Sequence, residues 1–345
     1  MKHIRLSIIG FGVVGQGLAE LLTTKQALLR RDFGLEVTLI SVANARHGFI
    51  YREDGLDIPT LLELAAARRP LTEHPGIQHW AHPLEGLQAT GGDVLAEATG
   101  TNLRDAEPGM SHIRAALAQG MHVITANKGP AALAAQELFA LAQQYGVQLR
   151  MESTVMAGTP VLSTIREGMA GTSVSAIRGI LNGTTNYILS AMSTGRDYRE
   201  VLAEAQALGF AEADPTADVE GYDALAKILI LAFLVFGRSL KPADVFRQSI
   251  ISITREQVQR AIENDRRIKL IASLVSHPED DTLEAKVAPI ELPLSDPLSR
   301  VDGVMNAITI HSDTLLELTV IGPGAGRIQT GQGLLADLLA IAHTQ

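Results

Sequence analysis

The chain has 345 residues, 46% of them hydrophobic, which is enough for two domains or for one large domain with a second attached to it. It contains no cysteine, which excludes disulfides, a thiolate metal site and a cysteine nucleophile, and its net charge of −9 argues against nucleic acid as a partner. Its longest apolar run, Ile228–Phe236, is too short to span a bilayer, so we expect no membrane partner and a cytoplasmic location.

The first predicted strand leads directly into a glycine-rich turn. Ile4–Ile9 is short and ends at a glycine, which is typical of an opening β-strand rather than a signal peptide. Gly10, Gly12 and Gly15 then have the G-x-G-x-x-G spacing between a strand and a helix, as a dinucleotide fingerprint requires; a structural turn is the alternative. The glycines allow a tight turn, close approach of a pyrophosphate and packing of the helix on the strand. The residues predicted to contact the cofactor here are Gly10, Phe11, Gly12, Val13, Val14 and Gly15.

The end of the second predicted strand, Val37–Val42, bears on the choice between the two nicotinamide dinucleotides. In an NAD-selective site an acidic residue usually ends this strand and binds the ribose hydroxyls. Here the strand runs into SVANARHG, and Glu36 lies at its other end. Arg46 in this loop could pair with a 2′-phosphate, although a solvated loop charge is an equally good interpretation. We therefore expect NADP as cofactor, with NAD as the open alternative.

Strands and helices continue to alternate up to about residue 150. The further predicted elements are strands over Val94–Ala98 and His122–Thr125 and helices over Ser111–Gln119 and Ala131–Gln144. The second of these strands brings Asn127 and Lys128 to the carboxyl end of the sheet, which is where ligands of open parallel sheets bind. Residues 1–150 are therefore predicted to form an α/β dinucleotide-binding domain with a Rossmann-type, doubly wound parallel sheet.

After residue 150 the regular alternation ends, which predicts a second, α+β domain over residues 151–310. The segment ESTVMAGTPVLSTIREG is predicted to open with a strand and to continue as a helix from Pro160. The segment SVSAIRGILNGTTNYILSAM is predicted to contain a strand, a Gly-Thr-Thr-Asn turn and a helix. Further predicted elements are helices over Tyr222–Phe236, Lys241–Phe246 and Arg255–Ser276 and a strand near Leu283–Glu291. Residues 311–345 are predicted to return to the first domain, with a strand at Leu315–Ile321, a GPGAG segment and a helix at Gly333–Ala342.

A single lysine interrupts the apolar helix in GFAEADPTADVEGYDALAKILILA, which runs from Gly209 to Ala232. Lys227 lies one helical turn after Asp223, and the other residues at this spacing around it are apolar, so its amine must reach solvent or find a partner. Further carboxylates lie in the preceding loop, at Glu212, Asp214 and Asp218. The segment therefore predicts an acid–base site, and the alternative interpretation is an acidic capping loop with an ordinary ion pair.

From Ala207 to Lys227 the chain resembles the signature of the homoserine dehydrogenases. The matching positions are Gly209, Asp214, Pro215, Asp218, Gly221, Asp223 and Lys227. ITANKGP, ESTVMAGTPV, LNGTTNYIL and GPGAG match further motifs of the family in the same order, so the resemblance covers essentially the whole chain. It implies NAD(P)-dependent interconversion of L-homoserine and L-aspartate 4-semialdehyde, on the threonine and methionine branch of amino-acid biosynthesis. It also implies that the second domain binds substrate and forms a homodimer or higher homo-oligomer.

The resemblance also implies roles for individual residues. Lys227 would be the catalytic acid–base, and Lys128 would face the reacting end of the substrate, although binding of cofactor phosphate or ribose explains Lys128 equally well. The residues implied to bind substrate are Glu212, Asp218, Asp223, Gly183 and Thr184. Additional implied cofactor contacts are Thr99, Lys128, Gly209 and Gly324. A monovalent cation such as Na⁺ would be held by Glu152 and by backbone oxygens of Val155, Ala157 and Thr159.

Two departures from the family pattern lie in the implied cation segment. Met156 stands where glycine is frequent, and Thr159 replaces an aliphatic residue.

Two rival functions remain open. One rival is an NADP-dependent reductase of another small amino-acid-derived substrate, such as a cyclic imine, and the other is a redox-sensing dinucleotide-binding regulator without turnover. Neither accounts for the Gly209–Lys227 signature. Phosphorylating semialdehyde dehydrogenases need a cysteine nucleophile and are excluded.

Overall fold

The computed structural model describes residues 1–344 and divides the chain into two compact units. The first unit contains Met1–Gly158 together with the chain from Ala325 onward, and the second unit is Thr159–Gly324. The strands are β1 Lys2–Ile9, β2 Leu35–Asn44, β3 Gly48–Tyr51, β4 Gln78–Trp80, β5 Val94–Glu97, β6 His122–Thr125, β7 Leu149–Arg150, β8 Val174–Ile180, β9 Phe246–Arg247, β10 Arg266–His277, β11 Thr282–Pro293, β12 Met305–Ser312 and β13 Leu316–Pro323.

Fourteen α-helical segments connect these strands in the described part of the chain. They are α1 Val13–Thr24, α2 Gln26–Phe33, α3 Ile58–Ala66, α4 Pro83–Thr90, α5 Gly109–Ala118, α6 Lys128–Leu133, α7 Ala135–Gln144, α8 Val161–Ser163, α9 Gly183–Met192, α10 Tyr198–Ala207, α11 Thr216–Val219, α12 Tyr222–Phe236, α13 Arg255–Glu263 and α14 Arg327–Thr344. The short α8 continues as a π-helix to Gly168.

The first unit is built on a seven-stranded sheet in the order β4-β3-β2-β1-β5-β6-β7. Strands β2, β1, β5, β6 and β7 are parallel, whereas β3 and β4 add an antiparallel edge next to β2. The middle strands are almost fully apolar and buried, as expected of a parallel sheet that is covered on both faces. This arrangement confirms the predicted Rossmann-type sheet with a second α/β unit.

The helix α14 belongs to the first unit and packs against α1. Leu334, Leu335, Leu338 and Ile341 of α14 share one buried cluster with Leu18 of α1. The two helices approach closely because glycines face each other: a Cβ on Gly331 would lie 2.7 Å from the carbonyl carbon of Gly17. The core of this unit therefore contains residues from both ends of the chain.

The second unit is built on a six-stranded sheet in the order β13-β12-β8-β10-β11-β9. Strands β10 and β11 form a long antiparallel hairpin, paired from Arg266↔Pro293 to His277↔Thr282. The helices α9 and α12 pack on this sheet, and α12 is buried from Ala224 to Ala232. An apolar helix covered on all sides explains why any polar residue in that stretch needs a specific partner.

The divisions between the units differ from the predicted ones. The chain divides after Gly158 and after Gly324 rather than at 150 and 310. The strand β13 pairs with β12 in the second sheet, and only the helix that follows it, α14, lies in the first unit. The predicted strand at Leu315–Ile321 is confirmed as a strand, because β13 pairs with β12 in antiparallel register, but it lies in the second unit and not in the first.

Two predicted helices of the second unit are wrong. The predicted helix Arg255–Ser276 is α13, which ends at Glu263, followed by the strand β10. Asp265, at φ 54, breaks the helix, and β10 is buried on both faces, so its apolar run has no period of two to distinguish it from a helix. The predicted helix Lys241–Phe246 is a 3₁₀ turn, Pro242–Asp244, and the short strand β9.

Three smaller predictions also need correction. The segment opening ESTVMAGTPV is a 3₁₀ turn, Glu152–Thr154, rather than a strand. The predicted helix Ala131–Gln144 is interrupted at Ala134, whose φ of −143° is not helical. The Gly-Thr-Thr-Asn segment is the first turn of α9 and not a separate turn.

None of the helices among residues 1–344 has both the length and the apolar character that crossing a membrane requires.

Candidate active site

The turn between β1 and α1 has the geometry that its glycines predict. Gly10 has φ +100°, and a Cβ there would lie 2.3 Å from the carbonyl carbon of Ala98. A Cβ on Gly15 would meet the Gly10 carbonyl at 2.4 Å, whereas one on Gly12 would meet nothing within 4 Å. Gly10 and Gly15 are therefore required by internal packing, and Gly12 leaves the entrance to the helix N-terminus open to a ligand.

The remaining residues of this turn divide between the core and the surface. Phe11 is buried and Val14 is half-buried, whereas Val13 is 66% exposed in the first turn of α1. An exposed valine beside free helix N-terminal amides is a surface that can contact a bound dinucleotide. The side chains of the fingerprint thus have different environments although the sequence predicted one role for all of them.

The loop after β2 contains Arg46 and is shaped by Asn44. The Oδ1 atom of Asn44 accepts hydrogen bonds from the backbone N–H groups of Arg46 at 3.0 Å and of His47 at 2.7 Å. Arg46 is exposed, and no ion pair of its guanidinium is found within residues 1–344. The asparagine therefore fixes the loop without using the arginine, whose charge remains accessible.

A buried carboxylate organises the carboxyl ends of β5 and β6. Glu97 is fully buried, and its Oε1 atom accepts the backbone N–H of Thr99 at 3.2 Å and also the Thr99 hydroxyl. Asn127 donates to the Thr99 hydroxyl at 3.0 Å and caps α6 by accepting the backbone N–H of Gly129. The half-buried Lys128 is the first residue of that helix. Glu97 and Asn127 thus support two residues predicted to contact the cofactor, Thr99 and Lys128.

The second unit holds the amine of Lys227 in a buried position on α12. Lys227 is 5% exposed, and its Nζ atom donates to Asp223 Oδ2 at 2.8 Å and to the backbone carbonyl of Leu181. Gly221, with φ +80°, precedes the helix and reverses the chain between the acidic loop and α12. The lysine is therefore partnered, as its position inside an apolar helix requires.

Two carboxylates lie together beside this lysine. Asn182 donates to Asp218 Oδ1 at 2.6 Å and to Asp223 Oδ2 at 3.0 Å, so the two acids share one amide group. Burial, followed by the neighbouring Asp223 carboxylate, raises the pKa of the Asp218 carboxyl above its ordinary value of 3.8. Hydrogen bonds from Asn182 and Thr184 oppose that rise. The structure therefore brings Lys227, Asp223 and Asp218 into one cluster.

The other predicted substrate residues have more varied positions. Gly183 opens α9, and a Cβ on it would lie 2.6 Å from the carbonyl oxygen of Val304. The Thr184 hydroxyl donates to the Phe210 carbonyl at 2.7 Å, which ties α9 to the acidic loop. Glu212 is exposed, and no contact joins its side chain to the lysine cluster in the described part of the chain.

Two glycines predicted to contact the cofactor have structural explanations in the second unit. Gly209, at φ +75°, follows the end of α10, where glycine commonly terminates a helix. A Cβ on Gly324 would collide with the side chain of the buried Asn306 at 2.2 Å. Both glycines are explained without a ligand, so their contact with the cofactor stays a prediction.

The segment implied to bind a cation has an unusual backbone. Met156 and Ala157 have φ values of 57° and 53°, a left-handed conformation that explains why glycine is frequent at the first position. Glu152 is buried, and its backbone N–H donates to Asp337 Oδ2 at 2.8 Å. Thr159 begins the second unit, where its hydroxyl donates to the carbonyl of Pro323 at 2.9 Å. Groups of three or more acidic, histidine or cysteine side chains that could hold a metal ion are absent from residues 1–344.

Sequence reasoning missed Glu97 and Asn182, and it placed Asn127 at the carboxyl end of the sheet without assigning it a role. The two asparagines carry a signal that could have found them, because each follows a strand and immediately precedes a helix, the position of an N-cap. Glu97 has no such signal, since it is simply the last residue of an otherwise apolar strand. Its role follows only from the partners that surround it in three dimensions.

The fold and these clusters define a class of protein. A Rossmann-type unit with an open fingerprint turn and a second unit with a buried lysine beside two carboxylates are the parts of a nicotinamide-dependent oxidoreductase.

Comparison with known proteins identifies the family. A family model described as homoserine dehydrogenase matches residues 160–339, and one described as the NAD binding domain of homoserine dehydrogenase matches residues 10–152. The chain therefore belongs to the homoserine dehydrogenase family, which confirms the resemblance seen in the sequence. The members are NAD(P)-dependent oxidoreductases that interconvert L-homoserine and L-aspartate 4-semialdehyde in the biosynthesis of aspartate-derived amino acids.

Relatives and solved structures agree with this assignment. The chain is 38% identical over 341 residues to the NAD(+)-dependent homoserine dehydrogenase of Pseudomonas canavaninivorans, covering 99% of this chain and 97% of the relative. It is 36% identical over 338 residues to the homoserine dehydrogenase of Methanocaldococcus jannaschii, covering 98% of each. A hyperthermophilic archaeal homoserine dehydrogenase mutant in complex with NADPH superposes with a TM-score of 0.86 at 29% identity, covering 100% of this chain and 99% of the other. A homoserine dehydrogenase from Thiobacillus denitrificans has a TM-score of 0.85 at 32% identity, covering 100% of this chain and 74% of the other.

Proposed function

We propose that this enzyme interconverts L-homoserine and L-aspartate 4-semialdehyde with Lys227 as the group that moves the proton. The observation that carries this proposal is a lysine 5% exposed on an apolar helix, with its amine 2.8 Å from Asp223 and beside Asp218. Two carboxylates, Asp223 and Asp218, accompany a single amine here, one more than a structural ion pair requires. The same cluster argues against a regulator without turnover.

The proposed chemistry assigns one task to each group. The bound nicotinamide supplies the hydride transfer. When homoserine is oxidised, its hydroxyl must lose a proton, and the neutral amine of Lys227 accepts it; when the semialdehyde is reduced, the ammonium form donates it. The carboxylates of Asp218 and Glu212 suit the ammonium group of the substrate, and Asp223 orients the lysine. The amide groups of Gly183 and Thr184 at the N-terminus of α9 suit the substrate carboxylate.

Replacement of Lys227 tests the proposal. Lys227→Ala should lower kcat by about 10²–10⁴, the usual share of general acid–base catalysis, with the reaction followed by nicotinamide absorbance with and without homoserine. Lys227→Arg should not restore activity, because a guanidinium does not release its proton at these pH values. In the wild type, oxidation should accelerate and reduction should slow as the pH rises, since the two directions need opposite forms of the amine.

A control with Lys128→Ala distinguishes the two lysines. Lys227→Ala should retain binding of the oxidised cofactor, measured by calorimetry, because the fingerprint turn lies in the other unit, whereas Lys128→Ala removes a proposed cofactor contact and should weaken that binding. Near-normal kcat in Lys227→Ala together with complete loss in Lys128→Ala would transfer the proton-handling role to Lys128.

We propose NADP as the preferred dinucleotide. The support is Arg46, which is exposed in a loop held by Asn44, together with the absence of an acid between Asn44 and His47. The NADPH bound to one related enzyme and the NAD(+) in the name of another are properties of those two proteins. Thr99, Lys128, Gly209 and Gly324 are proposed as further cofactor contacts.

We also propose a monovalent cation such as Na⁺ held by Glu152 and the carbonyl oxygens of Val155, Ala157 and Thr159. Two consecutive left-handed residues redirect the carbonyls of this segment, and the buried Glu152 supplies a charged oxygen. Replacing Na⁺ by choline at constant ionic strength should lower the activity of the wild type and leave the activity of Glu152→Gln unchanged.

We also propose that the enzyme forms a homodimer and is located in the cytoplasm. The support for a dimer is β13, which forms one edge of the second sheet and exposes Leu316 at 74% and Ile321 at 53%. An exposed apolar edge strand is self-complementary and can pair with the same strand of a second copy. The role in amino-acid biosynthesis supports the location.

A further inference from the structure

Asn182, which separates β8 from α9, makes more hydrogen bonds than a helix cap requires. It is 5% exposed, and its Oδ1 atom accepts the backbone N–H of Thr185 at 2.9 Å and the Thr185 hydroxyl at 3.0 Å. Its Nδ2 atom donates to Asp218 at 2.6 Å and to Asp223 at 3.0 Å. All of its side-chain hydrogen-bonding groups are therefore used, and they join a helix start to both carboxylates of the lysine cluster.

The orientation of this amide follows from its partners. A backbone N–H can only donate, so the atom facing Thr185 must be the oxygen, and the two N–H bonds must face the carboxylates. An exchange of the two ends would place a donor against a donor and an oxygen against two anions. The helix cap thus dictates that two donors meet the acids.

The residue before Asn182 completes the arrangement. The carbonyl of Leu181 accepts a hydrogen bond from Lys227 Nζ, and that nitrogen also donates to Asp223 Oδ2 at 2.8 Å. Asp223 Oδ2 is therefore shared by Asn182 and Lys227. Two adjacent residues at the end of β8 contact the lysine and both acids.

We propose that Asn182 is the positioning residue of the active site: its amide bridges Asp218 and Asp223 and so holds Asp223 against Lys227. The proposal rests on the proposed roles of those three residues. Without two shared donors, the neighbouring carboxylates would repel each other, and the lysine would lose its fixed partner. Nothing in the fold alone requires this, because a serine would cap α9 equally well.

The charged groups around the amide are few. In the second unit they are Asp218 from α11 and Asp223 and Lys227 from α12, while the first turn of α9 contributes only amide and hydroxyl groups. A charge introduced at position 182 would therefore act on both carboxylates and, across Asp223, on the lysine. This allows the bridging role to be tested separately from the capping role.

Two substitutions perform this test. Asn182→Ser keeps an oxygen that caps α9 but is too short to bridge the acids, and it should lower kcat/KM for homoserine by about 10- to 100-fold. Asn182→Asp keeps the shape and the cap but adds a third carboxylate, which favours the ammonium form of Lys227. The rise of the oxidation rate with pH should then move to higher pH by about one unit.

The matched control is Asp197→Ser, because Asp197 caps α10 in the same unit by accepting the Arg199 N–H at 2.9 Å. It should lower Tm without changing the kinetics or the pH profile. If both Asn182 variants behave like this control, Asn182 is a helix cap and the proposal is wrong. Asn182→Asp, which is nearly isosteric, decides the question if the serine variant does not fold.

A structural measurement separates this proposal from the proposed function. In a crystal structure of Asn182→Ser, the carboxylates of Asp218 and Asp223 should separate, and the 2.8 Å contact between Asp223 and Lys227 should be lost. If the positions of the two carboxylates are unchanged in this variant, the positioning role of Asn182 is wrong, whichever substrate the enzyme uses. If the wild type does not oxidise homoserine, the proposed function is wrong instead. The crystal structure of Asn182→Ser then still decides whether Asn182 positions the two carboxylates.

Discussion

Arg46 illustrates how a single side chain can be left available for a ligand. Asn44 shapes the loop after β2 through its side-chain oxygen, which accepts two backbone N–H groups. The guanidinium is consequently not needed for the local fold. A charge that is exposed and not used structurally can be replaced with little change in stability, which makes its contribution to binding measurable.

We predict that Arg46→Ala raises the KM for NADP while changing the KM for NAD little. A lost hydrogen-bonded charge pair with the 2′-phosphate should raise the KM by about 10-fold or more. Steady-state kinetics with each dinucleotide measure the effect, and Arg52→Ala, an arginine after β3, is the control. Equal increases for both cofactors would contradict a role in recognising the phosphate.

Individual residues could be predicted from the sequence where the local pattern is abnormal. Lys227 stood out because a charge inside an apolar helix demands an explanation, and the structure gives it Asp223 and Leu181 as partners. Asn182 did not stand out, because an asparagine before a helix is ordinary and its two acids are distant in sequence. A hydrogen bond between residues that are far apart in the sequence cannot be recognised from the local sequence around either residue.

At the scale of elements, Lys269 joins the strand β10 to α9. It is 1% exposed, and its Nζ atom lies within hydrogen-bond distance, 2.7–3.1 Å, of four oxygens: Asn186 Oδ1, Ser190 Oγ, the Val301 carbonyl and Asp302 Oδ1. Burial lowers the pKa of this lysine below its ordinary value of 10.5, although Asp302 opposes the shift. One amine therefore secures the helix that begins at the active site.

We predict that Lys269→Met destabilises the protein by about 2–3 kcal/mol at neutral pH, because buried acceptors lose their donor while the exposed Asp302 is rehydrated. The unfolded lysine binds its proton more tightly than the folded one, so the wild type should gain stability as the pH rises toward 10.5. The stability difference from Lys269→Met should grow over that range. Urea unfolding at several pH values measures it, with Lys286→Met on β11 as the control, and a constant difference would contradict the prediction.

The elements differ in how far the sequence determines them. The strand His122–Thr125 and the helix Tyr222–Phe236 were predicted with their observed bounds, since glycine or a change of pattern marks each end. The strand β10 was predicted as helix because it is the interior strand between β8 and β11 and lacks alternation. The strands β3 and β4, which follow β2 toward one edge of the first sheet, were not predicted, because they are short and their pairing is decided by neighbouring strands.

At the scale of the whole molecule, the edge strand β13 is the feature that supports a dimer. We predict that Ile321→Lys weakens self-association by roughly 100-fold, because a charge would be buried without a partner in the paired sheets. Analytical ultracentrifugation over a range of protein concentrations measures this. Phe246→Lys, at an equally exposed position on β9 at the opposite edge of the same sheet, should leave the dimer intact. The reverse result would move the interface to β9.

The packing of α14 against α1 has a consequence for the order in which the protein matures on the ribosome. The helix α1 is translated before the second unit, whereas Leu334, Leu335 and Leu338, which complete its core, are translated after that unit. The second unit, continuous from Thr159 to Gly324, is synthesised in full between these two events. The unit whose translation begins first therefore cannot complete its core until the second unit has been translated, and its uncovered apolar surface is the one that a chaperone would meet on the nascent chain.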